Sequence, residues 1–104
     1  MIDWSRVNEL KSEIGENDFT EVAEMFLEEV EEVIDRLRTA SVASELEKDL
    51  HSLKSSALNL GFSRFATLCA EGESIAAAGK DVTLGPIIDC YIASKADFAT
   101  GAPA

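Results

Sequence analysis

Apolar side chains recur along most of the chain at spacings of three and four residues, which is the period of an amphipathic α-helix. The clearest run consists of Leu46, Leu50, Leu53, Ala57 and Leu60, at successive spacings of four, three, four and three. Strand-like alternation of apolar and polar residues is absent from the sequence. The pattern therefore predicts an all-α protein.

Capping residues and glycines divide the chain into five predicted helices. The first is short: Asp3 can cap it, Ile2 and Val7 occupy hydrophobic-staple positions, and Gly15 follows its end. The later helices are predicted from about Asp18 to Arg38, from about Val42 to Leu60, from about Ser63 to Ala78, and from Asp81 or Thr83 onward. Four such helices bury their apolar stripes most simply in an antiparallel four-helix bundle, with the additional short N-terminal helix across one end.

Local signals support these boundaries. Asp18 and Glu21 resemble a capping-box pair, Ser41 is a candidate cap for the third helix, and Pro86 fits an early turn of the fifth. The predicted apolar stripes comprise Val22, Met25, Phe26, Val30, Val33, Ile34 and Leu37 in the second helix, Phe65, Cys69, Gly72 and Ala76 in the fourth, and Leu84, Ile87, Ile88, Tyr91 and Ile92 in the fifth. The acidic back of the second helix, which includes Glu31, is interpreted as a solvated face.

Length and composition indicate one folded domain. The chain has 104 residues, of which 46% are apolar and 28% charged, as in globular proteins. We expect the domain to span residues 1–100, and residues 101–104, with the sequence Gly-Ala-Pro-Ala, to form a disordered C-terminal tail. Cys69 and Cys90 are too few for a disulfide framework and are expected to be reduced core thiols.

Charge narrows the choice of partners. Twenty acidic and nine basic side chains give a formal net charge of -11, which disfavours binding to nucleic acid or to an anionic membrane surface. No apolar run approaches the roughly 20 residues of a transmembrane helix, and the N-terminus does not resemble a signal peptide. The sequence therefore predicts a cytoplasmic protein, and a monomer, because the helices can close a core within one chain.

The only histidine, His51, lies on the third helix but outside its apolar stripe. At about 100° per residue it points roughly 140° from the centre of that stripe, with Leu58 close beside it and Ser55 further round. Lys54 occupies the next turn, where its ammonium group can reach an anion attached to the imidazole. A lone histidine is usually an ordinary surface residue, but this grouping favours a nucleophile that accepts a phosphoryl group.

The segment from His51 to Gly61 resembles the signature helix of the histidine phosphotransfer (HPt) family, which reads His-x-Leu-Lys-Gly-Ser/Ala with a glycine ten positions after the histidine. Leu53, Lys54, Ser56 and Gly61 match with His51, and Phe65, Cys69 and Glu73 fall where the family commonly has an apolar residue, a small residue or cysteine, and a glutamate. The sequence departs from the family at Ser55, where glycine is usual, and at Gly72, where a larger apolar residue is usual.

The resemblance implies a four-helix bundle that carries a phosphoryl group between receiver domains of a two-component phosphorelay. In that role His51 is the phosphoacceptor, Lys54 stabilises the phosphoryl group, and the surface around Ser55 and Leu58 docks the receiver, with Ser55 also neighbouring the phosphate. The expected partners are receiver domains of a hybrid sensor kinase and of a response regulator. Any Mg²⁺ is expected on the receiver, and no cofactor or metal on this chain.

Other functions stay open at this point. The chain has no glycine-rich phosphate loop, and the sequence places no second base near His51, so a carrier without autokinase activity is expected rather than an independent enzyme. A helical adaptor or sequestering protein that binds a receiver without being phosphorylated would share the same fold. An exposed Leu58 would favour docking, whereas burial under the first or second helix would make it an ordinary packing residue.

Overall fold

Five α-helices follow one another in the computed structural model, which describes residues 2–40 and 42–100. They are α1 (Trp4–Ile14), α2 (Glu16–Ala40), α3 (Ala43–Leu60), α4 (Ser63–Ala77) and α5 (Gly85–Ala99). The all-α prediction, with a short N-terminal helix added to a four-helix bundle, is confirmed. The most extensive helix pair is α3 with α4, which are joined by the turn at Gly61 and Phe62.

The core is built around the apolar stripe of α3. Each of its five predicted members is buried: Leu46, Leu50, Leu53, Ala57 and Leu60. Phe62 and Phe65 are fully buried and pack against Tyr91 of α5, with ring centroids 6.2 and 5.3 Å from the tyrosine ring. Because one face of α3 is thus committed to the core, its opposite face is left for solvent or a partner.

The start of the N-terminal helix is hydrogen-bonded to the C-terminal end of α3. Asp3 caps α1 as predicted, since its side chain accepts a hydrogen bond from the backbone N–H of Arg6. The backbone N–H of Asp3 donates to the carbonyl of Gly61 at 2.6 Å. Gly61 has φ +79°, and a Cβ there would lie 2.7 Å from the Asp3 carbonyl oxygen. Glycine at this position therefore both ends α3 and admits the start of α1.

Two predicted helix starts are wrong. α2 begins at Glu16 rather than about Asp18, because the Gly15 carbonyl already accepts a hydrogen bond from the N–H of Phe19. Asp18 therefore lies within the first turn and does not cap the helix. α5 begins at Gly85, not at Asp81 or Thr83. Pro86 is tolerated only in the first turn of a helix, which disfavours a start as early as Asp81 and fits the observed start at Gly85.

Two residues assigned to apolar stripes are exposed: Met25 is 57% and Ile92 53% accessible. Each is five residues from a buried side chain, Val30 in α2 and Ile87 in α5, and so lies about 140° round its helix from that residue. The predicted cap Ser41 and the predicted tail 101–104 lie outside the described residues. None of the helices in the described ranges is long and apolar enough to cross a membrane.

The cysteines and the unusual glycine of α4 are packing features. Cys69 and Cys90 are buried free thiols, as predicted, and burial raises the pKa of Cys69 to about 12. A Cβ on Gly72 would lie 3.1 Å from the Leu50 Cδ1 and 3.2 Å from the Ile87 Cδ1. Glycine at position 72 therefore allows α4 to approach α3 and α5 closely, which offsets its low helix propensity.

Candidate functional site

His51 projects from the solvent face of α3, and its side chain is 60% exposed. The residues that anchor the helix on either side of it, Leu50 and Leu53, are almost completely buried. The backbone beneath the imidazole is therefore held by the core while the ring itself stays accessible. The predicted helical phase of His51 is confirmed.

The neighbouring helix α4 brings a carboxylate to the imidazole. The Nδ1 of His51 lies 2.8 Å from the Oε2 of Glu73. An ionised carboxylate can only accept hydrogen bonds, so the proton of this contact belongs to Nδ1. In neutral imidazole the other nitrogen, Nε2, then carries the lone pair and is the nucleophilic atom. Glu73 thus fixes both the orientation and the tautomer of the ring.

Glu73 also holds the lysine of the site. The Nζ of Lys54 donates to the Oε1 of Glu73 at 2.8 Å, so one carboxylate bridges the lysine and the histidine. The Lys54 side chain is partly buried, with 28% of it exposed. Its hydrogen bond is the main cause that lowers the pKa of the Glu73 carboxyl below the ordinary value of 4.5, and the bond to His51 adds to the effect. Glu73 is therefore ionised at neutral pH.

This lowered pKa has a measurable consequence. The contacts of the ionised Glu73 carboxylate stabilise the folded protein fully at pH values above the ordinary glutamate pKa. This stabilisation is lost as the pH falls through the lowered pKa that Glu73 has in the folded protein. Replacing Lys54 with methionine removes the strongest of these contacts, so we expect the Glu73 pKa to rise towards 4.5. The ¹³C chemical shift of the Glu73 carboxyl during a pH titration measures it. An unchanged midpoint would contradict the bridge, and Lys80→Gln is the control expected to leave it unchanged.

The predicted docking residues lie on the same side of α3 as His51. Ser55 is exposed, and Leu58 is 58% accessible, so burial of Leu58 under α1 or α2 is wrong. Ser56, by contrast, is buried. Below this surface the Asn59 amide donates to the Ser55 carbonyl, and Arg6 of α1 donates to the Asn59 side-chain oxygen. The docking roles of Ser55 and Leu58 stay predictions, and both side chains are accessible on the face of α3 that carries His51.

Glu73 contacts both His51 and Lys54, and it is the residue of this cluster that sequence reasoning left out of the candidate site. The sequence indicates Glu73 only as a position typical of the family, and the expectation that no second base lies near His51 is wrong. Spacing within α3 could not reveal it, because the contact depends on the register between α3 and α4. The available signal was its place directly after Gly72, on the flank of an otherwise apolar helix face.

Away from His51, the described residues form a groove between α2 and α5 but no metal-binding cluster. Within residues 2–40 and 42–100 no three histidine, cysteine or carboxylate side chains are grouped closely enough to hold a metal ion. A groove of about 490 Å³ between α2 and α5 does not include His51. It contains Glu31, which accepts hydrogen bonds from Tyr91 at 2.7 Å and Lys95 at 2.6 Å. Glu31 therefore connects α2 to α5 through these hydrogen bonds. The sequence-based interpretation of Glu31 as part of a solvated face is incomplete.

Comparison with known proteins identifies a family for most of the chain. A family model described as Hpt domain matches residues 21–94, which is well over half of the chain. The matched range extends from the first turns of α2 to Ser94 of α5 and includes both His51 and Glu73. No curated protein and no solved structure shows significant similarity to the chain.

Proposed function

Because the chain belongs to the Hpt domain family, whose members are phosphotransfer domains of two-component systems, we propose that it relays a phosphoryl group between aspartates of receiver domains through His51. The observation that carries the proposal is the pairing of an exposed imidazole with a carboxylate. The contact of Nδ1 with Glu73 leaves Nε2 free on the solvent side of the ring.

The proposed reaction is a direct exchange of one bond for another. The Nε2 lone pair of His51 attacks the phosphorus of a receiver phosphoaspartate, a P–N bond forms, and the P–O bond to the aspartate breaks with its electron pair returning to the carboxylate. The imidazole gains positive charge as the bond forms. Glu73, which accepts from Nδ1–H, stabilises that charge, and the same contact supports the reverse transfer to a second receiver.

Lys54 is assigned to the phosphoryl group in this reaction. It lies one turn beyond His51 and shares Glu73 with it, so its ammonium group is already held beside the reacting ring. A cation next to the transferred group offsets the negative charge on the phosphoryl oxygens. Since the lysine is anchored by Glu73, little side-chain entropy is lost when it contacts the phosphoryl group.

The proposed partners are receiver domains of a hybrid sensor kinase and of a response regulator. Leu58 supplies exposed apolar area beside His51, of the kind that protein interfaces bury. Ser55 stands on the approach path, where its hydroxymethyl group contacts the receiver or the phosphoryl group. Mg²⁺ is assigned to the receiver rather than to this chain. We also propose that the protein is a cytoplasmic monomer that carries phosphate without autokinase activity.

The test compares wild-type protein with His51→Gln. Each is incubated with phosphorylated receiver domains from the same organism, and the adduct is followed by intact mass and by its lability in acid. We expect an acid-labile phosphoryl group on wild type alone, because glutamine lacks the nucleophilic nitrogen. Binding of a receiver without any adduct would overturn the relay and favour the adaptor or sequestering alternative.

A further inference from the structure

Lys48 lies on the other side of His51 from Lys54. It precedes the histidine by three residues, whereas Lys54 follows it by three, so the two lysines flank the ring at about 60° to either side of it around the helix. Lys54 is on the α4 side, where Glu73 binds it. Lys48 is on the other flank of α3, and it lines a cleft of about 360 Å³ together with Ser44, Glu47 and His51 of the same helix and Glu73 of α4.

The two lysines differ in whether their ammonium group already has a bonding partner. The Nζ of Lys54 donates a hydrogen bond to the Glu73 carboxylate at 2.8 Å, so part of its positive charge is compensated before any phosphoryl group arrives. The side chain of Lys48 is exposed and makes no hydrogen bond or ion pair with any other described residue. Its ammonium group is therefore free to meet an anion without first breaking a contact.

The orientation of the imidazole also favours contact between Lys48 and a phosphoryl group on His51. Glu73 binds Nδ1, and Nε2 faces the opposite edge of the ring. A phosphoryl group on Nε2 is consequently directed away from the carboxylate of Glu73. The flank of α3 on that side carries Lys48, whose flexible stem spans the one helical turn between them.

Resting on the relay function proposed above, we propose that Lys48 is a second phosphoryl-binding residue, which contacts the phosphoryl oxygens on His51 from the side opposite Glu73. Among the described residues Lys48 is the only lysine that lines this cleft, and without it the cleft would present the carboxylates Glu47 and Glu73 to an incoming anion. Lys48 thus attracts the phosphoryl group and holds it during transfer.

The experiment measures the rate of His51 phosphorylation in wild type, Lys48→Gln and the control Lys80→Gln, which alters another exposed lysine that lines a different cleft. Two donors are used: a phosphorylated receiver domain and phosphoramidate, a small molecule with no docking surface. We expect Lys48→Gln to slow the reaction by about 3- to 10-fold with both donors. The difference should shrink at about 1 M ionic strength, where charges are screened beyond about 3 Å. Lys80→Gln should react like wild type.

Each other result would overturn the assignment. An unchanged rate in Lys48→Gln with both donors would show that Lys48 does not contact the phosphoryl group. A slower reaction with the receiver alone would make Lys48 a docking residue instead. If wild-type protein accepts no phosphoryl group from either donor, the relay function itself fails, and the role of Lys48 fails with it.

Discussion

Replacing Leu50 with alanine should lower the free energy of unfolding by about 2 to 5 kcal/mol, the range found for large-to-small substitutions at fully buried sites. Leu50 is completely buried, and it packs closely over Gly72 of α4. The glycine has no side chain to fill the space that the substitution leaves, so the cavity is expected to persist. Urea denaturation followed by circular dichroism measures the change.

The control is the adjacent residue. His51→Gln should change the stability by less than about 1 kcal/mol, because the side chain it replaces is 60% exposed. The two substituted residues are adjacent in the sequence, but Leu50 is buried and His51 is exposed. Equal losses of stability, or a larger loss for His51→Gln, would show that the assignment of α3 faces to core and solvent is incorrect.

Replacing Glu73 with alanine should slow phosphoryl transfer to His51 by about 10- to 100-fold, as expected when a reacting group loses the contact that orients it. Both the Nδ1 hydrogen bond and the anchor of Lys54 disappear together. The imidazole can then rotate and adopt either tautomer, so Nε2 is less often presented as the nucleophile. Single-turnover transfer from a phosphorylated receiver measures the rate.

Two variants separate this role from a general effect on α4. Glu73→Gln keeps an oxygen that accepts from Nδ1–H but loses the charge, so it should recover part of the rate. Glu71→Ala removes an exposed carboxylate of the same helix and should transfer at the wild-type rate. Wild-type transfer by Glu73→Ala would contradict the role of Glu73 in orienting the histidine.

The fold was largely predictable because the apolar period of α3 is regular and its residues are all committed to one face. The same reasoning failed where a stripe was widened to include every apolar residue, as with Met25 and Ile92. It also misplaced the start of α5, since Asp81 and Thr83 are acceptable caps in isolation. The restriction that Pro86 imposes disfavours a start at Asp81, but it does not separate Thr83 from the observed start at Gly85.

The candidate site was predictable in part for a related reason. Residues on one helix, such as His51, Lys54 and Leu58, have relative positions fixed by the helical repeat, and their exposure follows from the buried stripe. The contact with Glu73 joins residues 22 positions apart and depends on how α3 and α4 are aligned. That alignment depends on packing between the helices, such as the close approach of Leu50 to Gly72, which the periodicity of a single helix does not describe.

The most direct test of the central claim is to determine which nitrogen of which residue carries the phosphoryl group. Wild-type protein labelled with ¹⁵N is phosphorylated by a receiver domain, and ¹H–¹⁵N and ³¹P NMR spectra locate the P–N bond. Because Nδ1 is hydrogen-bonded to the Glu73 carboxylate, the predicted product is a His51 that carries the phosphoryl group on Nε2. A phosphoryl group on Nδ1, or on any residue other than His51, would contradict the account.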